Sequence, residues 1–146
     1  MSMSNVSETK LLQLLFQNDA WELIGDASGI QPSATAGSFY VALHTTDPGD
    51  AGDQTTNEIA YTGYARVAVA RTSGKWLVSG ATVSNIDAVQ FGECTALTAS
   101  AGYFSVGTAA SGAGSILYSG QLSATRSISS GITPLFNAGA LQGTVD

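Results

Sequence analysis

His44, Asp47, Asp50 and Asp53 place the chain's single histidine on one short stretch with three carboxylates. Two chemistries use such a set: binding of a hard cation, and general acid–base catalysis. Calcium takes six to eight oxygen ligands. Here the carboxylates recur at every third residue of Asp47-Pro48-Gly49-Asp50-Ala51-Gly52-Asp53. That spacing matches neither an EF-hand loop nor the glycine-rich nonapeptide repeat that binds calcium. Turn chemistry accounts for the same residues, because proline presets φ, glycine supplies positive φ and aspartate bonds its own backbone. A turn without a metal is therefore expected. A Ser-His-Asp or Cys-His site would have to use His44, with Cys94 or an unmarked serine as its partner. The chain has no G-x-S-x-G, H-E-x-x-H, G-x-x-x-x-G-K-[ST] or G-x-G-x-x-G. His44 is expected to close an apolar strand and to hydrogen-bond a loop carbonyl or an aspartate. No catalytic residue, no cofactor and no enzyme activity are expected.

A second constellation follows. Asn57-Glu58 and Tyr61-Thr62-Gly63-Tyr64-Ala65-Arg66 bring an acid, two aromatics and an arginine close together. An arginine in so weakly charged a chain calls for a fixed partner: Glu58, a loop aspartate or a neighbouring subunit. Trp21, Trp76, Phe39 and Phe104 read as core residues, since their flanks lack the cations that a base-stacking platform needs.

The elements that must position these residues begin with one helix. Residues 5–24 hold it, with Asn5 and Glu8 as a capping-box pair and a break at Asn18-Asp19. Trp21, Leu23 and Ile24 then suggest a short apolar turn. Leu11, Leu14 and Leu15 share one face, and Leu12 and Phe16 lie on a neighbouring one. So wide an apolar arc suits a helix set deep against its own sheet, or one that also touches another subunit. From Phe39 the pattern changes to short strands: 39–44, 64–71, 75–78, 81–86, 89–91, 103–107, 115–121, 126–128 and 140–145. Ser73-Gly74 and Ser79-Gly80 read as hairpin turns, making 64–86 a three-stranded meander. Gly112-Ala113-Gly114 and Ser129-Ser130-Gly131 are further turns. The end of the chain, 141–146, lacks alternation, so the last strand has no obvious partner. The fold class is mainly β: an N-terminal helix followed by an antiparallel β-sandwich or small barrel of about eight short strands. A single domain, 1–146, is expected, with 1–37 as a helical arm and loop and 38–146 as the β-domain.

Only 11% of the residues are charged, against about 25% in ordinary domains. A surface rich in Ser, Thr, Gly and Ala loses little on desolvation, which suits a subunit packed among neighbours. Eight of the eleven acids but only one of the five cations lie in residues 1–60. So few cations argue against a nucleic-acid partner, which is bound by neutralising phosphates. No apolar run approaches the ~18–20 residues of a membrane span, and the start lacks the basic region of a signal peptide. Cys94 cannot form an intrachain bridge and reads as a small buried residue.

The pattern LHT-x-DPG-x-AG … NE … Y-x-G-YAR over 43–66 resembles a family of small virion proteins of tailed bacteriophages. Ile24-Gly25-Asp26-Ala27-Ser28-Gly29 and the later VGTAASGAG (106–114) with Leu117-Tyr118-Ser119-Gly120 belong to the same resemblance. It spans nearly the whole chain and implies a non-enzymatic structural protein of the virion, made in the cytoplasm of the bacterial host. Its partners would be other virion subunits, either the major capsid protein or tail proteins. The chain reads as too short and too compact for a fibre. Capsid decoration, stabilising the assembled head by many modest contacts, is therefore the first expectation, with a homo-oligomer such as a trimer. The alternatives are a tail-tip, baseplate or fibre-attachment component, and a host-attachment module that binds carbohydrate. The interface candidates are Leu12, Phe16, Trp21, Asp47, Asp50, Asp53, Tyr61, Tyr64 and Arg66.

Overall fold

In a computed structural model, residues 2–145 are described; Met1 and Asp146, the ends of the expected domain, lie outside the described residues. The elements are a helix α1 (Asn5–Leu12), a π-helical turn (Gln13–Gln17) and nine strands: β1 (Ser38–His44), β2 (Val67–Ala70), β3 (Trp76–Ser79), β4 (Thr82–Asn85), β5 (Val89–Gln90), β6 (Ala99–Gly107), β7 (Ile116–Ile128), β8 (Leu135–Phe136) and β9 (Gln142–Thr144). The expected class, one N-terminal helix and then antiparallel strands, is what forms. The sheets have orders β2-β1-β6-β7, β3-β4-β9 and β5-β8, and none closes on itself. Of the two expected architectures, the open one is therefore found. No helix among the described residues is long and apolar enough to cross a membrane.

The chain divides into two compact units whose segments alternate along the sequence. One comprises Met1–Gly37, Ala70–Ala88 and Phe136–Asp146; the other comprises Ser38–Val69 and Val89–Leu135.

In the first unit the helix begins one residue earlier than the capping pair suggested. Ser4 is the cap, and its side chain accepts from the Ser7 amide. The helix ends through the π-helical turn at Asn18, whose φ of 57° is left-handed. Asparagine tolerates that conformation, so the expected break is there. The expected apolar turn after it is not. Leu23 and Ile24 are exposed, and Trp21 instead pairs with Ile30. Leu12 and Phe16, one turn apart, are 0% and 1% exposed. Phe16 meets Trp76 edge to face at 4.9 Å, and Gln17 Nε2 donates to the Trp76 carbonyl at 2.8 Å. β3 and β4 make the hairpin expected at Ser79-Gly80, with Val78 opposite Val83. β9 pairs with β4, which gives the unpatterned end of the chain its partner. Buried Asn85 secures that end: its Nδ2 donates to the carbonyls of Asp87 and Asn137, and its Oδ1 accepts from the Leu141 amide.

The meander expected over 64–86 does not form, because β2 joins the sheet of β1 and not that of β3. Arg71 explains the departure within its own unit. Its guanidinium donates to the carbonyls of Leu14, Leu15 and Ala36, and its amide donates to the Gly37 carbonyl. These partners lie far away in sequence and anchor the start of a turn that the Lys75 and Trp76 amides close onto the Thr72 carbonyl.

In the second unit β1 is central and nearly wholly buried, flanked by β2 and β6. The β1–β6 register sets Leu43 opposite Phe104 and His44 opposite Tyr103. The separate strands expected at 115–121 and 126–128 are one strand, β7, with a bulge opposite Gly102 that bridges them. Cys94 is fully buried, as expected. β8 had no sequence expectation; it is short and pairs only with β5.

Candidate functional site

The stretch 44–66 lies entirely in the second unit. β1 delivers His44 to the end of the buried strand, where the chain turns into the acidic loop. His44 is 0% exposed. Its Nδ1 lies 2.8 Å from the Thr56 carbonyl and its Nε2 lies 2.8 Å from Ser105 Oγ. A carbonyl only accepts, so Nδ1 carries the proton and Nε2 accepts from the serine. Burial holds the imidazole below its ordinary value, against the pull of the Thr56 bond and the nearby Glu58. The loop carbonyl expected for His44 is thus Thr56; Ser105 was not foreseen.

The loop is built of aspartate turns. Asp47 Oδ1 accepts from the Gly49 amide at 2.9 Å. Asp53 Oδ1 accepts from the Thr55 amide and hydroxyl at 2.7 and 2.5 Å. That hydroxyl bond is the main reason its carboxyl sits below the usual carboxylate range. Asn57, with a left-handed φ of 56°, donates from Nδ2 to the Asp47 carbonyl and closes the turn. Among the described residues, no three His, Cys, Asp or Glu side chains are gathered in a way that would hold a metal ion.

Beyond the loop, Arg66 meets Glu58 in a two-point pair: Nε donates to Oε1 at 2.7 Å and Nη2 to Oε2 at 2.8 Å. Of the three partners open to Arg66, Glu58 is the one found. Tyr64 Oη also donates to Glu58 Oε1 and accepts from the Leu43 amide. Burial raises the phenol's pKa well above its usual value. Tyr64 stacks on Phe91 at 6.0 Å and meets Tyr61 edge on at 5.4 Å. Tyr61 Oη donates to the Gly92 carbonyl.

The residue that joins these parts, Gln54, carried no sequence signal. It is 0% exposed. Its Nε2 donates to the Tyr40 carbonyl on β1, and its Oε1 accepts from the Ala109 amide at 3.0 Å and from Arg66 Nη1 at 3.5 Å. Arg66 Nη1 also donates to the Ala109 carbonyl at 2.9 Å. Two glycines make room for it. A Cβ at Gly107 would lie 2.3 Å from the Gln54 amide carbon, and one at Gly114 would lie 2.4 Å from its oxygen. Loop, central strand and β6–β7 connection are thus fastened through one amide side chain.

This arrangement is a clasp. Its histidine and serine are buried, and the half-buried Glu58 carboxylate is neutralised by arginine. Of the interface candidates, Leu12, Phe16, Tyr61 and Arg66 are buried. Asp47 and Asp50 are exposed, while Trp21, Asp53 and Tyr64 are half-buried.

A family model described as podophage GP4 fiber I protein gp80 matches residues 2–144, from before α1 to the end of β9. A comparison with curated proteins finds no match.

Proposed function

This chain belongs to the podophage GP4 fiber I protein gp80 family, a family of phage virion structural proteins, and from that premise we propose that it is a non-enzymatic, fibre-associated subunit of the virion. The observation that carries this reading is the match over residues 2–144 to a family whose description names a fibre. The clasp supports a structural role. The stretch with the most chemical potential uses His44, Asp47, Asp53, Glu58 and Arg66 to fasten a loop.

The compact size and low charge that suggested a capsid decoration protein suit a fibre-associated module equally well, since both sit among neighbouring subunits. The family description favours the fibre. The partners on this reading are other virion proteins, with a homo-oligomer as the building unit. Quantitative mass spectrometry of purified virions is the test. A fibre-associated subunit is expected in few copies, a small multiple of a cyclic symmetry order. A count on the order of hundreds would overturn the fibre in favour of shell decoration, given the many equivalent positions of a closed shell. Absence from the particle would overturn both.

A further inference from the structure

In the first unit, residues 18–33 form a closed loop with an apolar tip. Trp21 and Ile30 exchange both backbone hydrogen bonds, each 2.9 Å. Asn18 clasps the base: its Nδ2 donates to the Ser33 carbonyl and its Oδ1 accepts from the Ser33 amide, each at 2.9 Å. Asp26 Oδ1 accepts from the amides of Ser28 and Gly29 and sets the bend. Polar bonds thus order the loop, and apart from the half-buried Trp21 its large apolar side chains remain outside. Leu23 is 79% exposed, and Ile24 and Ile30 are each 44% exposed. Leu23 also has a φ of 65°, a left-handed conformation that suits glycine or asparagine and costs a leucine energy. Nothing in the chain's own packing explains a leucine there. Outliers of this kind gather where a surface grips something else.

Charge narrows what that is. Asp19, Glu22 and Asp26 flank the tip, all exposed, and no cation occurs between Lys10 and Arg66. Two copies meeting through this loop would oppose like charges. Among the described residues, most cations are already engaged. Arg66 is paired with Glu58 and Lys75 with Asp87, and Arg71 is bonded to backbone carbonyls. Only Lys10 and Arg126 are left, one on α1 and one on β7.

We propose that the loop 18–33 is a plug, with Leu23 and Ile24 at its tip, that inserts into an apolar pocket rimmed by lysine or arginine on a different virion polypeptide. The inference rests on the virion reading above and names the surface that attaches the chain. The test uses phage assembled with the full-length chain carrying p-benzoylphenylalanine in place of Ile24, and with two double variants. One variant, Leu23→Asn with Ile24→Ser, removes the apolar tip; the other, Asp19→Lys with Glu22→Lys, reverses the charge and leaves the Asp26 turn intact. The cross-link is expected to reach another virion polypeptide at a segment bearing lysine or arginine. Both variants are expected to lower copies per particle by about tenfold or more, as loss of a central apolar anchor does, while the purified chains melt at the wild-type temperature. Wild-type occupancy in both variants, or a cross-link to a second copy of this chain, overturns the plug and leaves the fibre reading standing. Absence of the wild-type chain from particles overturns both.

Discussion

The loops 45–58 and 18–33 both carry acids and no cations, yet they use them differently. In the first, Asp47 and Asp53 cap local turns, Glu58 holds Arg66, and Gln54 reaches the backbone of β1 and the β6–β7 connection. In the second, only Asp26 bonds inward, while Leu23 and Ile24 face solvent. Acid content therefore does not identify a site. What separates the loops is whether a buried cation or amide from the same unit reaches them. The first loop is a component of the fold; the second leaves large apolar side chains exposed.

Substitutions test that contrast most strongly at Arg66. Arg66→Ala leaves Glu58 with only the Tyr64 hydroxyl as a donor and takes the Arg66 donor from the Ala109 carbonyl. It is expected to cost about 3 kcal/mol in urea denaturation, as loss of one partner of a buried pair does. A cost below about 1 kcal/mol would place the pair with ordinary surface ion pairs and erase the contrast. Gln54→Ala comes next, at about 2 kcal/mol, because it takes the partner from the part-buried Tyr40 carbonyl and Ala109 amide.

His44 sharpens the comparison through pH. Its folded value lies below 6.5 because the ring is buried. Between 6.5 and that lower value the unfolded chain takes up a proton that the folded chain does not. Stability is thus full above 6.5 and falls as pH drops through this window, by at most ~1.4 kcal/mol per pH unit. Urea midpoints measured across the window should show the fall in the wild type and lose that component in His44→Gln. Leu23→Asn marks the other extreme. Removing an exposed leucine from a left-handed position should leave the melting temperature unchanged or slightly raised, within about 0.5 kcal/mol. A clear drop would mean that the second loop, too, belongs to the fold.

Much of the first loop was legible because its chemistry is local. Asp47 bonds two residues on, Asp53 does the same, and Glu58 and Arg66 are eight residues apart. Gln54 was not legible, since the Ala109 amide it accepts from is 55 positions away and the glycines that admit it stand at 107 and 114. Asn85 escaped notice for the same reason, as its partners lie at 137 and 141. The second loop misled through composition. Trp21, Leu23 and Ile24 look like a segment to be buried, but the polar bonds of Asn18 and Asp26 order the loop and leave its tip outside.

By itself the sequence determined the class of the fold and the character of its turns. Strand alternation, Asp-Pro-Gly and the lone histidine closing an apolar run act over a few residues, where steric and backbone preferences are strong. The tertiary structure decided which strand met which, that β2 lies beside β1, that one amide would fasten three segments, and which of two acidic loops would leave large apolar side chains exposed. Those outcomes depend on space left by glycines and on donors that arrive from distant positions, and neither is visible in a short stretch of sequence.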